Sequence, residues 1–363
     1  MLFADVLEIK NGRNQRAVEN PNGAYPIYGS GGVMGYADDF ICQAHTVVIG
    51  RKGNINKPLF VDVPFWNVDT AFGLEAKRNV LLPKYLYYFC LRYDFEKLNK
   101  AVTIPSLTKA DLLKIEIELP KLSIQEDIVS RLESIERVKL LRQYQLRTLD
   151  TLINARFVEL FGDPEYNNQG LPIKKLSELC NVGSSKRIYQ EEQTIDGVPF
   201  WRISDLVAKM DTGNVDSSLY IPERKYEELK MLGLVPKPGD ILVTSRGTLG
   251  RCYIVAPNDR FYFQDGMISW LSDYSDEITP LYIQYLFGMS GFRKQIDSLQ
   301  AGSTVAYLSI AMLKKLNVML PERKLQEQFA AFVSHVDKSK SVVQAALDKA
   351  QMLFDSLMQQ YFG

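Results

Sequence analysis

Two long stretches of the chain place apolar residues at the spacing of an α-helix. In Gln125–Phe161 and Gln326–Phe362 apolar residues recur every three or four positions, between charged and polar ones. The second stretch also fits a heptad pattern, which the polar Ser339 interrupts. A helix of about 36 residues is about 54 Å long and cannot bury its own apolar face. We therefore expect the two helices to pack against each other, antiparallel, with one globular part of the chain at each end.

The two stretches are copies of one repeat. A shift of 201 positions places Leu107–Gly162 on Leu308–Gly363 without a gap. Fourteen of these 56 positions are identical, against roughly one in sixteen for unrelated sequences of average composition. The shared positions include Leu119-Pro120, Gln125-Glu126 and the closing Phe161-Gly162. A repeat of this length indicates that the chain builds the same structural unit twice.

Shorter patterns in front of each helix predict strands and one shorter helix. Thr46–Gly50 is apolar and β-branched, which is typical of a buried strand, and Ile115–Leu119 alternates with period two, which is typical of a half-exposed strand. Pro83–Leu98 carries aromatic residues at helical spacing, which favours a core face over base stacking. Ile241–Thr248 repeats Val47–Asn54, so the globular parts repeat as well.

These patterns predict an α/β protein with two globular domains of mixed or curved β-sheets, separated by two long helices packed as an antiparallel coiled coil. The offset between the copies is 173 at Tyr25–Tyr28 and 194 at Val47, so the second globule has about twenty extra residues. We place them around 207–239, where Tyr226–Leu232 has helical spacing. The predicted bounds are 1–120 for the first globule, 121–162 for the first helix, 163–321 for the second globule and 322–363 for the second helix.

Composition limits the class of protein. Of 363 residues, 46% are hydrophobic and 24% are charged, as in soluble globular proteins. The 43 basic and 43 acidic residues cancel, so binding to nucleic acid would need local basic patches or partners that supply charge. The four cysteines are scattered singly, which argues against a zinc site or a disulfide framework. No stretch has the length and hydropathy of a membrane span, and we expect a cytoplasmic protein.

Two basic turns are the main candidates for function. Arg51-Lys52-Gly53-Asn54 and Ser245-Arg246-Gly247-Thr248 each follow a buried strand, so their side chains should emerge at a sheet edge. Arginine and lysine bind phosphate, and arginine, asparagine and threonine also contact base edges. A single such turn would more often be an ordinary solvated hairpin. Its repetition at the same place in both halves makes the two interpretations about equal.

Other loops give weaker signals. Ala101–Ile104 and Ala301–Val305 combine small and hydroxyl residues, which suit either a phosphate contact or a helix N-cap. Gly29–Gly35 resembles a nucleotide-binding loop, but Met34 occupies the position of the last glycine, so we interpret the segment as a turn.

Motifs of catalysis are absent from the sequence. It contains no GxxxxGK[ST] loop for ATP, no [DN]PP[YF] motif for amino-methylation, no clean glycine loop for S-adenosylmethionine and no HExxH motif. No set of acidic residues with a lysine is duplicated along with the repeat. A duplicated chain without duplicated catalytic groups indicates a binding protein.

The order globule–helix–globule–helix resembles the specificity (S) subunit of type I restriction–modification enzymes. The resemblance covers essentially the whole chain and is most specific at Leu119–Glu126, at its copy Leu320–Glu327 and at the junction Phe161–Pro164. It implies two target recognition domains, each for one half of a bipartite DNA site, and helices that dock two methyltransferase subunits, with restriction subunits in the full complex. It implies no catalytic residue, metal or cofactor in this chain, because S-adenosylmethionine, ATP and Mg²⁺ would belong to the partner subunits. The extra residues of the second globule predict an asymmetric target.

Under this hypothesis the residues that contact double-stranded DNA lie in the basic turns and in neighbouring loops. They are Tyr28, Ser30, Arg51, Lys52, Asn54, Lys57 and Thr103 in the first half, and Arg202, Ser204, Ser245, Arg246, Thr248, Arg251, Ser303 and Thr304 in the second. The alternatives are a stand-alone DNA methyltransferase with an unrecognised cofactor loop, and a protein–protein scaffold built on the helices.

Overall fold

The structure is a computed structural model that describes residues 1–99, 105–299 and 306–363. The chain forms two compact units: unit 1 consists of Met1–Gln145 and Val343–Gly363, and unit 2 of Leu146–Val342. Each unit therefore contains one globule together with a part of each long helix. The bounds predicted from the sequence treated the long helices as separate from the globules. The units differ from those bounds, because a part of each helix contributes to the core of each globule.

The elements that the two halves share follow each other in the same order, and the second half adds others. In the first half they are α1 Phe3–Val6, β1 Leu7–Asn11, β2 Tyr25–Gly29, β3 Gly32–Ala37, β4 Thr46–Gly50, β5 Leu59–Val61, β6 Trp66–Asn67, β7 Ala71–Ala76, α2 Pro83–Arg92, a 3-10 turn Phe95–Leu98, α3 Lys109–Leu112 and α4 Leu122–Phe161. In the second half they are β8 Ile173–Lys175, α5 Leu176–Leu179, β9 Asn181–Gly183, a 3-10 turn Gln190–Glu192, β10 Val198–Trp201, α6 Ile203–Thr212, β11 Tyr220–Ile221, α7 Glu223–Met231, β12 Ile241–Thr244, β13 Cys252–Ile254, β14 Tyr262–Phe263, β15 Ile268–Ser272, α8 Pro280–Gly288, α9 Ser290–Ser298, α10 Ile310–Lys315, β16 Asn317–Met319 and α11 Arg323–Phe362.

Two sheets in each unit share one topology: the first is antiparallel and the second is mixed, as predicted. Unit 1 has an antiparallel sheet in the order β1-β7-β4-β5, and unit 2 has its counterpart, β9-β15-β12-β13. A second sheet combines one antiparallel and one parallel pair, in the order β3-β2-β6 in unit 1 and β11-β10-β14 in unit 2. The central strands β4 and β12 are buried along their whole length, which explains their continuous apolar sequences. The segment Ile115–Leu119 alternates in burial as predicted but forms only the isolated bridge Leu2↔Glu116.

Strand register confirms the alignment of the two globules. Ile27 pairs with Trp66 in unit 1, and Phe200 pairs with Tyr262 in unit 2, which supports the offset of 173 at this strand. The strand that pairs with β2 or β10 has a different offset. Pro26 pairs with Tyr36 in unit 1, and its equivalent Pro199 pairs with Tyr220 in unit 2. The equivalent of β3 is therefore β11, at an offset of 184.

The extra residues of unit 2 form two helices on either side of β11. Helix α7 confirms the helix predicted at Tyr226–Leu232. Helix α6 precedes β11 and was not predicted, so the insertion begins directly after Arg202 and the span 207–239 starts too late. The error arose because the first globule connects the two strands with the tight turn Ser30-Gly31, which left no copy of α6 for comparison.

The Gln of each Gln-Glu pair fastens a long helix to its globule. Gln125 is fully buried; its Nε2 donates to the carbonyls of Val80 and Pro120, both at 2.9 Å, and its Oε1 accepts from the N–H of Leu82, at 2.9 Å. Leu82 is the N-cap residue of α2, so the amide satisfies an N–H that the helix leaves unpaired.

Gln326 makes the same three hydrogen bonds in unit 2. Its Nε2 donates to the carbonyls of Glu277 and Pro321, at 2.8 and 2.9 Å, and its Oε1 accepts from the N–H of Thr279, at 2.8 Å. The repeated Leu-Pro and Gln-Glu pairs are thus explained by one buried joint, since the proline carbonyl is one of its acceptors.

The two Phe-Gly pairs pack on equivalent tyrosines of the short helices. Phe161 lies against Tyr282 of α8, with ring centroids 5.0 Å apart, and Phe362 lies against Tyr85 of α2, at 4.9 Å. Both tyrosines are buried, which confirms that the aromatic residues of these helices form core. Gly162 has a φ of 77°, a left-handed conformation that ends α4 at the glycine, as predicted.

Within each unit the parts of α4 and α11 pack antiparallel. In unit 1 Ile128 and Leu132 share a core with Met358, and Lys139 lies over the ring of Phe354, 4.6 Å from its centroid. In unit 2 the ring centroids of Phe157 and Phe329 are 5.5 Å apart, and Lys340 pairs with Asp150 at 2.7 Å. Later residues of one helix meet earlier residues of the other in both units, so the predicted direction is confirmed.

Candidate nucleic-acid interface

The two basic turns are built by the same backbone hydrogen bonds. The carbonyl of Arg51 accepts from the N–H of Leu107 at 2.9 Å, and the carbonyl of Ser245 accepts from the N–H of Leu308 at 3.0 Å. The next residue of each turn forms a β-bridge to the segment that follows a helix, Lys52 to Ser106 and Arg246 to Tyr307. The equivalence of Lys52 and Arg246 proposed from the repeat is therefore confirmed at the level of the backbone.

A left-handed glycine follows the basic residue in each turn. Gly53 has a φ of 77° and Gly247 a φ of 68°, and neither position would admit a larger side chain without strain. The glycine carbonyl then accepts from a buried apolar residue two positions on: Ile55 donates to Gly53 at 2.8 Å, and Leu249 donates to Gly247 at 3.0 Å. This anchor holds the basic side chain at the surface in both units.

The basic side chains of unit 1 are exposed and available. Arg51, Lys52, Asn54 and Lys57 are all exposed, and the guanidinium of Arg51 lies over the ring of Phe72, 5.7 Å from its centroid. Among the described residues, no carboxylate forms an ion pair with Arg51, Lys52 or Lys57. A cation that is not paired with a carboxylate can bind a phosphate or a base edge.

The hairpin β2–β3 brings two more predicted residues beside this turn. Ser30 lies at the tip of the hairpin, close enough to Gly50 that a Cβ added there would be 3.1 Å from the Cβ of Ser30. Tyr28 is half-buried, with its ring edge-on to Phe65 at 5.3 Å, and burial raises the pKa of its hydroxyl. The hydroxyl therefore stays protonated at neutral pH and can donate a hydrogen bond. The glycine-rich segment that follows is a hairpin turn, as predicted.

In unit 2 the basic turn borders a cleft. Arg246 is exposed, and its guanidinium lies over the ring of Tyr307, 5.2 Å from its centroid. The cleft has a volume of about 490 Å³, and Gln193, Gln264 and Asp265 also line it. The sequence interpretation missed Tyr307. It could have been found, because it stands 201 positions after Ser106, the residue beside the first basic turn.

Two predicted residues of unit 2, Ser245 and Arg251, do not reach this cleft, whereas Thr248 does lie at the surface of the turn. Ser245 is buried, and its Oγ shares a hydrogen bond of 2.7 Å with the Oγ of Ser269, so its side chain supports the turn and cannot contact DNA from this position. The prediction of a surface contact for Ser245 is wrong because this residue still belongs to the buried strand edge. Arg251 pairs with Asp211 and lines a separate cleft of about 400 Å³ with Lys209 of α6. Thr248 is exposed in the turn itself.

Arg202 and Ser204 lie at the start of α6. Arg202 is exposed and donates to the Oγ of Ser218 at 3.1 Å, while its backbone N–H donates to the carboxylate of Asp205 at 2.8 Å. Ser204 is exposed one residue before that carboxylate. Both side chains reach the surface of the insertion. The predicted residues Thr103, Ser303 and Thr304 lie outside the described residues.

Comparison with known proteins assigns this chain to a family. A sequence model of the "Type I restriction modification DNA specificity domain" matches residues 3–147 and 168–349, one match for each half of the repeat. The chain belongs to this family. The specificity subunit of type I restriction–modification systems is non-catalytic, in agreement with the absence of catalytic motifs.

Curated relatives of the specificity subunit align over most of the chain. A putative type I restriction enzyme specificity subunit of Haemophilus influenzae is 24% identical over 354 residues, which are 94% of this chain and 86% of the relative. The specificity subunit of the type I restriction enzyme MjaVIII from Methanocaldococcus jannaschii is 22% identical over 318 residues, 81% of this chain and 70% of the relative.

Solved structures confirm the fold. The S subunit of a type I restriction–modification system from M. genitalium matches with a TM-score of 0.61 and 18% identity, over 100% of this chain and 95% of that one. A chain from a study of complex assembly and conformational transition of the type I system matches with a TM-score of 0.59 and 15% identity, over 100% and 96%. Among the residues that the structure describes, no helix has the length and hydropathy needed to cross a membrane.

Proposed function

We propose that this specificity subunit binds a bipartite, asymmetric DNA target, with one half-site contacted by each unit. The observation that carries the proposal is the pair of basic turns, whose backbone hydrogen bonds match while their side chains differ. Lys52 beside Ser106 in unit 1 becomes Arg246 beside Tyr307 in unit 2. A shared scaffold with different side chains suits two domains that approach DNA in the same way and contact different bases.

The insertion of unit 2 supports an asymmetric target. Helices α6 and α7 flank β11 in unit 2, where unit 1 has a two-residue turn and a short loop. Arg202 at the start of α6 adds a cation that unit 1 does not have at the equivalent Gly29. The two half-sites should therefore differ in sequence, in length or in both.

We further propose that α4 and α11 dock two methyltransferase subunits. Large apolar residues are exposed on both helices, among them Leu140 at 64%, Tyr144 at 66% and Met352 at 64% exposure. Apolar surface of this kind on otherwise polar helices marks a site of protein–protein contact. Restriction subunits would join through the methyltransferases, and S-adenosylmethionine, ATP and Mg²⁺ would be bound by those partners, in the cytoplasm where the DNA is.

Partners also account for the neutral charge of the chain. With 43 basic and 43 acidic residues it has no excess of cations for the phosphate backbone. Partner subunits that close around the duplex would supply those contacts and leave base recognition to this chain.

Substitution of Arg246 by alanine tests the recognition role. The complex with the methyltransferase subunits should still assemble, because Arg246 is exposed and distant in sequence from the two long helices. Methylation of the target should fall by about tenfold or more, as expected for loss of a bidentate base contact. Arg224→Ala, an exposed arginine of α7, is the matched control. Unchanged methylation by the Arg246 variant would refute its assignment.

Insertion into both long helices tests whether their length sets the gap between the half-sites. Four residues added after Gln145 and four after Val342 lengthen each helix by about 6 Å and rotate its face by only about 40°. This is about two base pairs of B-form DNA. The methylated motif should keep both half-sites and gain about two base pairs between them, and an unchanged gap would refute the proposal.

A further inference from the structure

An arginine that the basic turns do not include faces the cleft of unit 2. Arg187 lines the same cleft as Arg246, and 65% of its side chain is exposed. Its Nε donates to the Oδ2 of Asp265 at 2.9 Å. Among the described residues, Asp265 is the hydrogen-bond partner that the structure shows for the guanidinium of Arg187.

The backbone on both sides of this pair is held in place. The N–H of Lys186 donates to the hydroxyl of Tyr262 at 2.8 Å, and the Oγ of Ser185 donates to the carbonyl of Phe263 at 2.7 Å. On the other side, the N–H of Gln264 donates to the carbonyl of Trp201 at 2.9 Å. Arg187 and Asp265 therefore stand at fixed positions on neighbouring segments, joined to the same strand, β14.

The contact with Asp265 leaves one edge of the guanidinium available. Because Asp265 accepts from Nε, the two terminal Nη groups remain as a planar fork of donors. Such a fork matches the two acceptors, O6 and N7, that guanine presents in the major groove. The carboxylate also limits the rotamers of Arg187, which lowers the entropic cost of binding.

We propose that Arg187, oriented by Asp265, binds the O6 and N7 atoms of a guanine in the half-site contacted by unit 2. This inference rests on the proposed function of the chain. Asp265 acts as a positioning residue and does not touch the base. Arg246 lines the same cleft.

The equivalent site of unit 1 lacks this arginine. Strand register places Lys10 on Gly183 and Ile27 on Phe200, both at an offset of 173, so Asn14 is the counterpart of Arg187. The Oδ1 of Asn14 accepts from the N–H of Arg16 at 2.9 Å and serves a local turn. The guanine contact therefore belongs to one half-site only and contributes to the asymmetry of the target.

An exposed arginine could equally bind a phosphate, and the two contacts have different consequences. Loss of a phosphate contact weakens binding to all sequences alike and reduces the slope of log affinity against log salt concentration by about one. Loss of a guanine contact lowers discrimination at a single base pair and leaves discrimination at the other positions unchanged. The open Nη fork favours guanine, since a fixed planar pair of donors confers base selectivity.

The test uses the complete complex with its methyltransferase subunits and duplexes that carry its target. Each guanine of the unit 2 half-site is replaced in turn by 7-deazaguanine, which lacks the N7 acceptor. The wild-type complex should lose roughly tenfold in affinity at one guanine. The Arg187→Lys variant keeps the charge but not the fork, and it should bind the normal and the modified duplex equally. Asp265→Ala should show a partial loss of discrimination at that same guanine.

Arg224→Lys is the matched control, because Arg224 is an exposed arginine of unit 2 outside the cleft. The inference is overturned if Arg187→Lys discriminates as the wild type does, if it weakens all duplexes by one factor with a shallower salt slope, or if the half-site holds no guanine. A wild-type complex without any sequence preference would instead contradict the proposed function.

Discussion

The buried joint at Gln326 gives a stability prediction that can be worked from the structure. Methionine has nearly the same length as glutamine but can neither donate nor accept these hydrogen bonds, so Gln326→Met removes all three at little cost in volume. The amide is 1% exposed, so water cannot replace the lost contacts without a local opening. The N–H of Thr279 and two backbone carbonyls lose this partner.

The expected loss is about 3 kcal/mol, from a net value of about 1 kcal/mol for each hydrogen bond. Groups that stay buried and unsatisfied raise the cost further, to about 3–5 kcal/mol. For a unit of this size, a loss of about 3 kcal/mol corresponds to a fall in Tm of about 6–12 °C. The loss in the free energy of unfolding and the fall in Tm should both appear in the unfolding transition of unit 2, which contains every hydrogen-bond partner of Gln326.

Urea unfolding of the full chain, followed by circular dichroism, measures the change in the free energy of unfolding. Gln351→Met is the control, because Gln351 is exposed and its Nε2 donates to Asp355, at 2.8 Å on the same helix. The control should change the free energy of unfolding by less than about 0.5 kcal/mol. A loss at Gln326 below about 1 kcal/mol, or one equal to the control, would refute the role of the joint.

Three further predictions concern packing and titration. Phe161→Ala should destabilise unit 2 by about 3–5 kcal/mol in the same assay, because it empties a fully buried site against Tyr282; a loss under about 1 kcal/mol would contradict this. Burial raises the pKa of Asp240, so its ionisation costs the folded state stability as the pH rises through that pKa. Asp240→Asn should therefore be more stable than the wild type at neutral pH, with an advantage that vanishes in acid; an advantage that is constant with pH would argue against it. Burial raises the pKa of the Cys42 and Cys180 thiols to about 12, so a thiol reagent at pH 8 should label them only after unfolding, and rapid labelling of the folded chain would disprove their burial.

The repeat and the long helices could be predicted because their evidence is local and occurs twice. The helical spacing of α4 and α11 and the gap-free match of their sequences are visible without any structure. The joint at Gln125 and Gln326 was visible as a motif, but its purpose was not, since two of the three partners of each glutamine lie more than 40 positions away in the chain. Helix α6 escaped prediction because no copy of it exists in the first globule.

The residues of the candidate site also include some that the sequence could predict and some that it could not. The equivalence of Lys52 and Arg246 came from the repeat and is confirmed by their β-bridges. The burial of Ser245 could not be foreseen, because it depends on Ser269 of a neighbouring strand. The pair of Arg187 with Asp265 joins residues 78 positions apart, and no periodic pattern reports a contact of that kind.

The central claim is that each unit recognises its own half of the DNA target, and the methylation pattern of genomic DNA tests it most directly. The complete system would be expressed with the wild-type chain, with Lys52→Ala or with Arg246→Ala, and methylated sites would be mapped by sequencing. The wild type should methylate one bipartite, asymmetric motif. Each variant should relax or lose recognition in one half only, and the two variants should affect opposite halves. Both variants acting on the same half, or neither altering the motif, would contradict the account.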